Sequence, residues 1–127
     1  MKAGDIGQEV RRLGAVPGVL SCALVDAATG MVLHSVANDP GAEPLVEAAR
    51  DYWQLHARNG RLFSSLGAVC GIVVAHEHGA INLLPCGRGM VLVTLAERGR
   101  IDFSTWPIRI ALLRGLVQQE FANPDAF

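Results

Sequence analysis

The chain has 127 residues, half of them apolar and 18% charged, with a formal net charge of −1. That is enough chain for one domain with its own core, too apolar for a disordered segment, and without the basic run that a nucleic-acid-binding stripe needs. One domain spanning 1–127, with its core at about 5–121, is the expected organisation.

Lys2 is the only lysine against ten arginines, a usage that points to a GC-rich, bacterial coding genome. The first eight residues carry no apolar stretch of a secretory signal, and no run approaches the roughly 20 apolar residues that span a bilayer. Cys22, Cys70 and Cys86 are an odd number with no close pairing, which fits free thiols in a reducing cytoplasm.

In chain order, residues 5–14 form a short amphipathic helix, with Asp5 placed to cap it and Ile6, Val10 and Leu13 on one side. Residues 18–26 are a strand with apolar residues at both phases, so the sheet should be covered on both faces. A tight turn through Gly30 leads to a second strand at 31–36.

Residues 44–58 contain no internal Gly or Pro and form the central helix. Pro44 suits its first turn and Gly60 its end. At helical spacing Leu45, Ala48, Ala49, Tyr52 and Leu55 make an apolar stripe, widened by Val46, Trp53 and Ala57. A helix covering one sheet needs a single stripe. The surplus around Trp53 either laps over its own sheet or meets a partner.

A third strand is expected at 68–77, a turn at His78-Gly79, and a fourth strand at 80–84 ended by Pro85. After a Gly87-Arg88-Gly89 turn, a buried fifth strand follows at 90–96. The last helix is capped by Ser104 or Thr105, tolerates Pro107 in its first turn, and runs to about Phe121 before Asn123-Pro124. Its apolar side is Ile110, Leu113, Leu116, Val117 and Phe121. The expected fold is α+β: a five-stranded antiparallel sheet between one central helix and two terminal helices.

No catalytic signature stands out. His76 and His78 are the nearest approach to a metal pair, but no third ligand is placed and a solvated hairpin tip is the simpler reading. Cys86, in a turn, is the thiol expected to be accessible; no companion base goes with it. Gly87-Arg88-Gly89 lacks the Lys and Ser/Thr of a phosphate loop and runs into a strand. Ser64-Ser65 lacks the glycines of a nucleophile elbow. Asp26, Asp39 and Glu43 read as turn and capping residues.

The stretches 18–26 and 30–33, the Ala-rich helix around Ala48-Ala49, and the meander 80–87 followed by 89–95 resemble, in this order and spacing, the Roadblock family of dynein light chains and bacterial GTPase-associated proteins. The likeness runs from about Val10 to Val117. It implies a profilin-like sheet-and-helix fold and a dimer in which the third strands pair across a two-fold, with the middle helices side by side.

It also implies a non-enzymatic scaffold or regulator of a Ras-like small GTPase, working as a homodimer or with a related chain and needing no cofactor. On that reading Val46, Arg50, Trp53 and Ala57 of the helix and Val69, Gly71, Val73 and Ala75 of the third strand lie at the dimer interface. Glu47, Gln54 and Arg58 are then turned to the partner. The alternative is a small-molecule sensor of PAS or GAF type, with a ligand held between sheet and helix.

Overall fold

The computed structural model describes residues 3–122. The Phe121 side chain and the Asn123-Pro124 stop lie outside the described residues.

Helix α1 (Ala3–Gly14) is followed by a hairpin of β1 (Val19–Asp26) and β2 (Val32–Ala37). Helix α2 (Glu43–Arg58) leads into the meander of β3 (Ile72–Ala75), β4 (Gly79–Gly87) and β5 (Met90–Glu97). Helices α3 (Trp106–Arg109) and α4 (Ala111–Ala122) close the chain. The five strands form one antiparallel sheet in the order β2-β1-β5-β4-β3, so β2 and β3 are its edges.

The central strands β1 and β5 are buried on both faces, as the doubly apolar β1 requires. One core joins Ile6, Val10 and Leu13 of α1 to Trp106, Ile110, Leu113 and Val117 across Cys22, Leu24, Leu84 and Leu92. The other sets Ala42, Val46 and Ala49 against Ala23, Val25, Leu83, Val91, Val93 and Leu95. The outer helices thus share one face and α2 holds the other. Buried Glu9 pairs with Arg12, whose second nitrogen donates to the Arg109 carbonyl at 3.1 Å and ties α1 to the end of α3.

Turn chemistry follows the sequence. Asp26 Oδ1 accepts from the amides of Ala28 and Thr29, Asp39 Oδ1 accepts from that of Gly41, and Gly30 takes φ +80°.

Four expectations change. Helix α1 begins at Ala3, so Asp5 lies inside its first turn, where negative charge still complements the dipole. β4 runs through Pro85 to Gly87: the Pro85 carbonyl accepts from Arg114 at 3.0 Å instead of joining a ladder, so the missing N–H lies on the side that β3 leaves open.

β3 is four residues long and does not extend over 68–77. Its register pairs Ile72 with Leu83. Two steps further back, Cys70 would meet Pro85, which has no N–H to give, and the ladder stops.

The last helix is two pieces, broken at Ile110 (φ −93°, ψ 5°). Thr105 stands at the N-cap position as expected, without a side-chain cap bond, and Asp102 caps the 3-10 turn Phe103–Thr105 just before it, its Oδ1 accepting from the Ser104 amide at 3.0 Å and the Ser104 hydroxyl at 2.6 Å. Those bonds to its charged form hold the Asp102 carboxyl below the usual range.

Candidate partner-binding surface

Helix α2 has three flanks. The one on the sheet is Val46 and Ala49, both buried, continued by buried Ala42 just before the helix and by half-buried Trp53 beyond. A polar flank turns toward β1 and β2. From it Arg50 donates through Nε to the Ala27 carbonyl and through a terminal nitrogen to that of Ala28, both at 3.0 Å, and Gln54 donates to Ala27 as well. Gly30 leaves room for this clamp, since a Cβ there would stand 2.8 Å from the Arg50 guanidinium.

The third flank is apolar and faces away from the clamp. Leu45 is 50% exposed, Tyr52 37% and Leu55 53%, with Ala48 exposed between them. The stripe expected to pack on the sheet is therefore largely the stripe left outside. The helix is rotated because Arg50 and Gln54 reach back to the β1–β2 turn and carry Val46 and Trp53 down onto the sheet with them.

Beside this flank the sheet is not covered. Near Leu45 a cavity of about 260 Å³ is lined by Leu20, His76, Ile81 and Leu95. Near Tyr52 and Leu55 a second, of about 330 Å³, is lined by His56, Asn59, Phe63 and Ile72, with His56 stacked on Phe63 at 5.0 Å. Together they form a trough on this flank of α2: the first cavity is floored by β1, β4 and β5, and the second reaches Ile72 of the edge strand β3.

The expected interface residues are only partly brought together. Val46 is buried beneath α2, Arg50 is clamped to the β1–β2 turn, and Trp53 packs on its own sheet. Ala57 is exposed. Val69 and Gly71 precede β3; Val73 and Ala75 are exposed on it, in register with Asn82 and Ala80. Of the residues expected to face a partner, Glu47 and Arg58 are exposed, whereas Gln54 is half-buried and engaged with Ala27. Leu45, Tyr52 and Leu55 were not expected outside; the sequence holds two equivalent apolar stripes and no signal for which turns inward.

The thiols exchange places. Cys86 is buried, not accessible, and burial pushes its thiol up to about 12; Cys22, in the same core, is likewise at about 12. Cys70, expected inside a strand, is exposed. Under native conditions at pH 8 one thiol should react with Ellman's reagent and three in urea; fast reaction of two or more in the native protein would contradict this burial. His76 and His78 lie in the exposed hairpin tip, and no group of three or more His, Cys, Asp or Glu that could hold a metal forms among the described residues.

A five-stranded antiparallel sheet with α2 on one face, three helices on the other and an open edge beside an apolar helix flank defines the class: an α+β sheet-and-helix domain. The fold is that of the Roadblock/LC7 domains. The chain superposes on a Roadblock/LC7 domain from Streptomyces avermitilis with a TM-score of 0.76 at 24% identity, covering 92% of this chain and 98% of that one.

For Myxococcus xanthus MglB the TM-score is 0.73 at 17% identity, with 95% and 90% covered. For the gliding protein MglB of Thermus thermophilus it is 0.67 at 18%, with 92% and 86% covered. A further similar structure (TM-score 0.73) is of MglB in a tetrameric arrangement. No family model and no curated protein matches the sequence. No helix among the described residues is long and apolar enough to cross a membrane.

Proposed function

We propose that this chain is a non-enzymatic scaffold that works as a homodimer and offers its paired α2 helices to a Ras-like small GTPase. The trough carries this reading. A second copy related by a two-fold would lay its own α2 flank against Leu45, Tyr52 and Leu55 while the two β3 edges join into one continuous sheet. An open apolar edge strand is a site for such pairing. Isologous contact needs a patch that complements itself, and an apolar stripe beside an apolar floor does so.

The oligomeric arrangement of a structurally similar protein supports self-association, and the family resemblance supplies the GTPase. Glu47, Asp51 and Arg58 then form the charged rim, and binding one state of the partner's switch segments better than another is the means of control. The sensor alternative is not favoured, since the cavities are open flanks of a helix with few polar groups converging on them.

Light scattering across a dilution series tests the dimer. The wild-type chain should have twice its monomer mass. Leu55→Glu sets a charge on a residue already half outside, so the fold stays and the dimer weakens about tenfold or more, roughly 1.4 kcal/mol. Trp53→Glu would test the fold instead. A wild-type monomer at every concentration would overturn the dimer. Unchanged GTP hydrolysis and nucleotide exchange by the Ras-like GTPases of the same genome would remove the regulatory part.

A further inference from the structure

The chain from Gly60 to His78 holds no buried residue. Leu62 is 78% exposed and Leu66 81%, while Val69, Ile72 and Val74 are half-buried. As far as Gly67 its amides close local turns: Leu62 donates to Asn59, Phe63 to Gly60, Leu66 to Phe63 and Gly67 to Ser64, at 2.9–3.2 Å. Phe63 meets α2 through its stack on His56, and Ile72 packs on the core beneath α2, beside the cavity of about 330 Å³.

The hold of β3 on the sheet is equally small. Its four residues pair with β4 alone among the described strands, from Ile72 opposite Leu83 to Ala75 opposite Ala80. By contrast, β5 lies between two strands and is buried except at its last residue.

Asn82 sits at the seam, in register between Val73 of β3 and Thr94 of β5, and is 2% exposed. Its Nδ2 donates to the Ile72 carbonyl across a long 3.5 Å, and its Oδ1 is the one buried side-chain polar atom without a partner among the described residues. An unmade bond at a buried acceptor is a cost that water relieves on reaching it. Lifting β3 from β4 therefore uncovers little apolar surface and lets water satisfy both ends of the Asn82 amide.

Both ends of the segment are anchored. Gly60 donates back to the Ala57 carbonyl at 3.2 Å and finishes α2. At the hairpin the Arg98 amide donates to the His78 carbonyl at 3.2 Å, and its guanidinium to that of Glu77 at 3.3 Å, so the turn stays in place when β3 leaves.

We infer that residues 60–75 are a strap that opens as one unit while the other four strands and the helices stay folded. Regions with few buried apolar contacts open at a fraction of the global unfolding free energy. Opening bares the backbone edge of β4 between Ala80 and Leu83, which β3 covers when closed. The strap is thus the chain's own guard over that edge. It is a property of a single copy and stands whether or not the dimer forms.

Native-state hydrogen exchange by NMR, over urea concentrations below the unfolding transition, tests this. The full chain carrying Leu55→Glu is used, at low concentration, so that no second copy lends protection. The amides of β3, and those of β4 bonded to it, should exchange at least about a hundredfold faster than those of β5, with little urea dependence, because a local opening exposes little surface. Asn82→Leu, added to this chain, removes the unsatisfied oxygen and should slow exchange in β3 about tenfold or more. Exchange of β3 at the rate and urea slope of β5 would overturn the inference. So would an Asn82→Leu chain, folded by circular dichroism, whose β3 amides exchange as fast as before.

Discussion

Trp106→Ala should lower the unfolding free energy by about 3–5 kcal/mol, the range for removing a large buried aromatic. Trp106 is fully buried where α3 meets the sheet, among Ile110, Leu92 and Cys22. Its indole N–H donates to the Thr94 hydroxyl at 3.2 Å, and the Cys22 thiol stands 3.9 Å from that same oxygen. The substitution therefore opens a cavity and takes the donor from a buried hydroxyl. Phe103 would also lose its edge-to-face contact, with the ring centres 6.2 Å apart.

Trp106→Phe keeps most of the volume and should cost appreciably less, which separates packing from the hydrogen bond. Urea unfolding followed by circular dichroism measures both. Equal losses for the two variants would mean that the hydrogen bond outweighs the cavity, contrary to this expectation.

Raising the pH should destabilise the fold well before its arginines titrate. Burial pushes the thiols of Cys22 and Cys86 from the ordinary 9.0 to about 12. In the unfolded chain both ionise as pH passes 9, while in the folded chain both keep their protons. Between about pH 9 and 12 the folded state thus binds more protons than the unfolded one, and stability falls as pH rises. Below pH 9 both states are protonated and the thiols contribute no slope.

The loss is on the order of 2 kcal/mol per thiol by pH 10.5, from the linkage of protonation to folding. The Cys22→Ala/Cys86→Ala double variant should be less stable at pH 8, because two core groups are trimmed, yet lose less between pH 8 and 10.5. Parallel pH dependences for the two proteins would show that other groups control the alkaline limb.

Both expectations rest on burial that only the closed fold creates, and that marks how far the sequence could be followed. Both strand phases of β1 are apolar, so burial on two faces was legible from residues 18–26 alone. Asp26, Asp39 and Gly30 announced their turns through local chemistry, because the groups that satisfy them lie within a few residues. Trp106 announced nothing: its partner, Thr94, is on another element, and only the closed fold brings them together.

Cys86 likewise looked like a turn residue because Pro85 and Gly87 flank it, but β4 continues through Pro85 and carries the thiol into the core beside Leu84 and Trp106. The length of β3 was set from across the sheet, since the residue that stops its ladder is Pro85 on the neighbouring strand.

The candidate surface shows the same division. By itself the sequence determined that residues 44–58 form a helix with more apolar surface than one sheet contact uses, and that the remainder would be available to something else. It could not determine which stripe was the remainder. Ala42, Val46, Ala49 and Trp53 follow helical spacing as well as Leu45, Ala48, Tyr52 and Leu55 do. The choice was made by the hydrogen bonds of Arg50 and Gln54 to Ala27 and Ala28, more than 20 residues away. Periodicity specifies the faces of a helix; its rotation about its own axis is settled by contacts between elements distant in the chain.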